Sequence, residues 1–80
     1  MSFKEKYLLA KKNGKEERFR GDEISRRIAE KYPLSAQIAL LMDKDSKPKE
    51  WEEYQAFRAK VKSEVDEEIV EVEEEGENGT

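Results

Sequence analysis

The chain contains neither cysteine nor histidine. Without thiols there is no disulfide to staple a small fold, no thiolate for zinc and no cysteine nucleophile. Without imidazole, the usual general base near neutral pH and the commonest metal ligand are missing as well. Only two prolines and four glycines are present, and the glycines form no phosphate-cradling loop. No apolar run approaches the roughly 20 residues that cross a bilayer, and the stretch after Met1 lacks the hydrophobic core of a signal peptide. Without secretion, Asn78-Gly79-Thr80 matches a glycosylation acceptor by chance, and Arg20-Gly21-Asp22 reads as a loop and a helix cap rather than an adhesion tripeptide. These absences lead to the expectation of a soluble, cytoplasmic chain that is not an enzyme, with no cofactor, no metal and no small-molecule substrate.

Charge is what the sequence has in quantity, at 45% of its 80 residues. Its distribution is uneven: residues 1–20 carry a net +4, residues 21–62 a net +1 and residues 63–80 a net −9. A basic head and an acidic tail attract one another within a chain or between chains, or stand as two solvated ends, with distant charges screened beyond about 8 Å. Against this charge stand 22 large apolar or aromatic side chains from Met1 to Val72. They suffice for one small core, whose net stability is slight once ordering entropy is subtracted, so self-association or a protein partner is expected.

The first segment, SFKEKYLLAKKNG, has two readings. Ser2 and Glu5 stand at capping-box spacing and Gly14 would stop a helix after Asn13, whereas Asn13-Gly14 is also a two-residue hairpin signal for a hairpin over 7–20. Asp22 is placed to cap a helix over 23–32, with Ile24, Ile28 and Tyr32 on one stripe, ended by Pro33. Ser35 is the candidate cap of a helix over 35–44 that turns Ile38, Leu41 and Met42 inward, and Leu40 in part. Pro48 suits the first position of another helix, in which Trp51, Tyr54, Phe57, Val61, Val65 and Ile69 recur at helical spacing. That helix is expected to fray near residue 68, where carboxylates oppose the dipole; Ile69, Val70 and Val72 offer a short edge strand, and the residues beyond are expected to be disordered.

Two motifs invite sharper readings and fail in detail. IAEKYPLSAQIALL follows a helix-turn-helix superficially, yet the turn glycine is Pro33 and the second helix offers Ala36, Gln37, Ala39 and Leu40, then Asp43 and Asp45, where Arg and Lys should meet DNA. Nucleic-acid binding would fall to Arg26, Arg27 or the basic head. DKDSKPKEWEEY begins like a calcium loop at Asp43 and Asp45, but Lys47, Pro48 and Tyr54 occupy the third ligand, glycine and closing glutamate positions.

Tyr32, Leu34, Gln37-Ile38-Ala39-Leu40-Leu41, Asp45-Ser46-Lys47-Pro48 and Trp51-Glu52-Glu53-Tyr54 together resemble a family of small proteins of unassigned role. These are encoded among the tail and structural genes of phages and prophages of Gram-positive bacteria. The resemblance covers Tyr32 to Val65 and implies a non-enzymatic, phage-associated role in a bacterial cytoplasm or in the particle itself; it carries no functional residues.

The sequence therefore predicts a mainly α chain, a three- to four-helix bundle or a helical hairpin with an added N-terminal element. It divides into a basic N-terminal element (1–20), a helical core (21–70) and an acidic disordered tail (71–80). Leu34, Ile38, Leu41 and Met42 are expected to face Trp51, Tyr54, Phe57 and Val61 across the short turn at Lys44–Pro48. Leu41, Met42, Trp51 and Tyr54 are the candidate interface residues. A protein-protein interaction or structural module is the leading functional reading, an acidic regulator or nucleic-acid mimic the second, and a helix-turn-helix-like nucleic-acid binder the third.

Overall fold

The computed structural model describes residues 2–78, with side chains through Glu75. Four helices follow in order: α1 (Phe3–Lys12), α2 (Glu16–Lys31), α3 (Leu34–Asp43) and α4 (Pro48–Asn78), with no strand among the described residues. The expected mainly helical bundle is what the chain forms. At 31 residues α4 is the spine, about 46 Å long at 1.5 Å per residue, and it sets the 54 × 19 × 18 Å shape. α2 runs back along its middle, α1 covers its C-terminal part and α3 its beginning.

α1 starts where its sequence says it should, with the Ser2 hydroxyl accepting from the Glu5 N–H at 3.2 Å. It ends in a Schellman motif: Gly14 N–H donates to Lys11 O at 3.1 Å, Lys15 N–H donates to Ala10 O at 2.8 Å, and Gly14 takes the left-handed φ of 70°. Asn13-Gly14 is thus a helix stop rather than a hairpin turn, and the alternative hairpin over 7–20 is overturned.

α2 begins at Glu16, well before the expected cap at Asp22, so Arg20-Gly21-Asp22 is helical rather than a loop. Tertiary contact overrides the glycine here. Phe19 packs on the Phe3 and Tyr7 rings at 5.4 and 5.9 Å, and Arg20 forms a bidentate pair with Asp66. A Cβ at Gly21 would meet open space. Gly21→Ala is accordingly expected to stabilise the protein by about 0.5–1 kcal/mol, read as a higher urea midpoint. A lower midpoint would show that the helix is not continuous through this residue.

Tyr32, extended at φ −125° and ψ 91° as the residue before a proline should be, closes α2. Pro33 itself caps α3; Ser35 makes no cap and lies inside the helix. Pro48 opens α4 as the sequence predicts, and Trp51 N–H closes the first turn on Lys47 O at 3.1 Å.

The core comprises Ile24 and Ile28 of α2 against Tyr54, Val61 and Val65 of α4, flanked by the half-buried Tyr32, Leu40, Trp51, Phe57 and Ile69. Tyr7 and Val72 are also buried, nearer the far end of the spine.

Two boundaries differ from expectation there. α4 does not stop near residue 68, and Ile69 to Val72 form no edge strand. The acidic stretch expected to be disordered from 71 is ordered at its start, because the basic head supplies what an isolated helix would lack. Lys4 pairs with Glu75 at 2.9 Å and Lys11 with Glu73 at 3.7 Å, while the Tyr7 hydroxyl donates to Glu73 at 2.5 Å beside the buried Val72. The expected divisions at 20/21 and 70/71 accordingly fall inside α2 and α4. The rest of the expected disordered tail includes Gly79 and Thr80, which lie outside the described residues.

These pairs give stability a pH dependence. Glu23, beside Arg26 and Arg27, Asp66, beside Arg20, and Glu73, beside the Tyr7 hydroxyl and Lys11, are all held below the usual carboxylate range. Their contribution is present above the unfolded values of 4.5 and 3.8 and is lost as pH falls through the lower folded ones. Tyr7 runs the other way: burial, then the Glu73 carboxylate, push its hydroxyl from 10.0 up to about 12. That contribution is full below pH 10 and disappears as pH rises toward 12. The urea midpoint should fall at both ends of a pH series, and Tyr7→Phe should remove the alkaline fall specifically.

Candidate interaction surface

α3 is the one helix with no buried residue, although nine consecutive positions, Leu34 to Met42, carry no charge. Its attachment to the spine runs through Gln37 and Leu40 rather than through the Ile38, Leu41 and Met42 stripe that the sequence suggested. Gln37, half-buried, accepts from the Tyr54 hydroxyl at 2.6 Å and donates to the Tyr32 carbonyl at 2.7 Å, and Leu40 packs against the core beside it. Tyr54 explains the choice. Its ring is buried against Tyr32 at 5.0 Å and Trp51 at 5.7 Å, and a buried hydroxyl without a partner costs about 1–3 kcal/mol. Gln37 is the polar side chain on α3 that meets that need. The helix is rotated accordingly.

The rotation turns the residues expected inside toward solvent: Leu34 is 69% exposed, Ile38 48%, Leu41 54% and Met42 79%. The expected burial of this set is therefore overturned, although Ile38 and Leu41 do face Trp51 and Tyr54 across a groove. Spaced at 0, 4, 7 and 8, the four form one stripe along α3. Ile38 and Leu41 also form one wall of a groove, with Gln37, Tyr54, Trp51 and Arg58 completing it. Its volume, about 200 Å³, is below the roughly 300–1,000 Å³ of small-molecule sites and suits an inserted side chain. Cations frame it: Lys44 lies over the Trp51 ring at 5.8 Å and Arg58 over the Tyr54 ring at 5.7 Å.

Of the four interface candidates, Leu41 and Trp51 come together in this groove, Tyr54 is its floor and a core residue, and Met42 stands outside it on the stripe. Sequence reasoning missed Gln37 and Arg58. The need of a core tyrosine for a hydrogen-bond partner is the signal that could have found Gln37. Among the described residues no group of three or more metal-ligating side chains is found, and no helix is long and apolar enough to cross a membrane. Comparison with protein-family models, curated proteins and solved structures gives no significant match.

Proposed function

We propose that this chain is a non-enzymatic protein-protein interaction module that docks through the outer face of α3 and the Trp51 groove. One observation carries the reading: the least charged helix of a highly charged chain presents four large apolar side chains to water. A stripe at helical spacing beside a side-chain-sized groove is the form used for helix-in-groove recognition. The resemblance to phage and prophage proteins extends this to an assembly or accessory role in a particle.

The acidic-regulator reading gains one support. Glu67, Glu71 and Glu74 are exposed at helical spacing on α4, so these carboxylates hold fixed separations as a nucleic-acid mimic requires. Asp66, Glu68, Glu73 and Glu75 are meanwhile engaged by the chain's own cations. A nucleic-acid binder has less, because Arg26 is tied to Glu23 and Glu30, and Arg27 to Glu23 and Glu68.

Dye binding and partner capture separate the two readings. An environment-sensitive apolar dye should bind the intact chain, and Leu41→Glu should abolish that binding without changing the helical circular dichroism. A captured partner lost with Leu41→Glu, yet retained when Glu67, Glu71 and Glu74 are changed to Gln, favours docking through α3. The converse pattern favours the acidic regulator.

A further inference from the structure

We infer that the cleft between α2, α3 and α4 binds a small monoanion with an apolar body, a medium-chain or aryl carboxylate, with Arg58 as its counter-charge. This ligand is distinct from the protein partner proposed above. The cleft shares Gln37, Tyr54 and Arg58 with the Trp51 groove, but Ile38, Leu41 and Trp51 take no part in it. Two observations carry the inference.

The first is size and position. The cleft has a volume of about 390 Å³, within the roughly 300–1,000 Å³ of small-molecule sites, whereas the Trp51 groove at about 200 Å³ falls below that range. Gaps between the helices of a bundle are a common place for such sites. Ile24 and Ile28 from α2 and Tyr54 from α4 are buried side chains and form the deep part of the lining, while Leu34, 69% exposed, stands at the edge. An apolar body laid over the two isoleucines would also take part of Leu34 out of water.

The second is charge. Among the described residues that line the cleft, Arg58 is the one charged side chain. The other four arginines of the chain each meet a carboxylate: Arg18 meets Asp22, Arg20 meets Asp66, Arg26 meets Glu23 and Arg27 meets Glu68. Arg58 is half-buried, yet among the described residues it forms no ion pair and no hydrogen bond uses its guanidinium. The Tyr54 ring, 5.7 Å away, is at best a weak acceptor for its N–H groups.

A guanidinium fork matches the two oxygens of a carboxylate. The single cation limits the ligand to one negative charge, because the second charge of a phosphate dianion would lie against apolar side chains without a partner. Gln37 adds a donor: its amide nitrogen gives one N–H to the Tyr32 carbonyl and retains the other.

Octanoate, octanol and octylammonium share one chain length and differ in head-group charge, so together they test the inference. Each is titrated into the intact protein labelled at its isoleucine and leucine methyl groups, with methyl NMR as the readout and circular dichroism as the check on fold. Octanoate should shift Ile24, Ile28 and Leu34 saturably, with a dissociation constant on the order of a millimolar for a ligand of about ten non-hydrogen atoms. Octanol and octylammonium should bind about tenfold more weakly.

Arg58→Gln should weaken octanoate binding by about tenfold and leave octanol binding unchanged. Ala29→Phe, at an exposed position of the lining, should block octanoate with the circular dichroism unchanged. Leu41→Glu, the test of docking through α3, lies outside the cleft and should leave octanoate binding intact, so the two readings fail separately. Shifts confined to Ile38 and Leu41 would put octanoate in the Trp51 groove and overturn the inference. Equal affinity for octanoate and octanol overturns it too, as does octanoate binding indifferent to Arg58→Gln and Ala29→Phe, or no octanoate binding at millimolar concentrations.

Discussion

A chain carrying Val65→Asp should show no cooperative urea transition at 25 °C and little helical signal. Val65 is 0% exposed and belongs to the cluster with Ile24, Ile28, Tyr54 and Val61 where α2 meets α4. A carboxylate placed there meets apolar side chains, and Arg20 and Arg27, the cations that α2 directs at this part of the spine, are already committed to Asp66 and Glu68. Burying a charge without a partner costs several kcal/mol. A domain of this length holds roughly 4–12 kcal/mol in total, at about 0.05–0.15 kcal/mol per residue. Val65→Ala is the control: it leaves a small cavity, costs about 1–3 kcal/mol and should lower the midpoint while preserving the transition. If Val65→Asp unfolded with a midpoint close to that of the parent chain, the α2–α4 contact would not be the source of the stability.

Tyr54→Ala should lower stability by about 3–5 kcal/mol, the usual cost of removing a buried aromatic ring. Two losses combine at this site. The ring leaves Tyr32 and Trp51 without their neighbour, and the missing hydroxyl leaves Gln37 without the proton that seats α3. Tyr54→Phe isolates the second loss and should cost about 1–2 kcal/mol. Both variants should accelerate amide hydrogen exchange in α3 more than in α2, because α3 has no buried side chain of its own to hold it. Equal acceleration in both helices would mean that Tyr54 supports the core as a whole and does not specifically anchor α3.

Much of the architecture is legible in the residues themselves. Pro48 and the apolar positions from Trp51 to Ile69 specify the start and the inner stripe of α4, and Ser2 and Gly14 mark the two ends of α1, because caps and periodicity are local properties. What escaped is set by partners far along the chain. α2 starts early because Phe19 and Arg20 find Phe3, Tyr7 and Asp66, which no reading of residues 16–22 alone reveals. α4 outlasts its expected end because cations near the N-terminus neutralise carboxylates near residue 75. The face of α3 was misjudged for a different reason. Periodicity turns the stripe of large apolar side chains inward, whereas the hydroxyl of Tyr54 draws Gln37 to the spine. The candidate site was correspondingly half visible: Leu41 and Trp51 were identified, while the orientation that exposes Leu34 and Ile38, and the place of Arg58, needed the tertiary structure.

The hydrogen bond between Tyr7 and Glu73 joins residues 66 positions apart, so it bears on the order in which the molecule assembles during synthesis. α1 is made before α2, and the two can meet through Phe3, Tyr7 and Phe19 once both are made. Its contacts with Glu73 and Glu75 wait for the far part of α4. Until that part of α4 is made, Lys4, Tyr7 and Lys11 lack the carboxylates they bind in the folded chain. The far part of α4 is thus the segment that completes the contacts of α1.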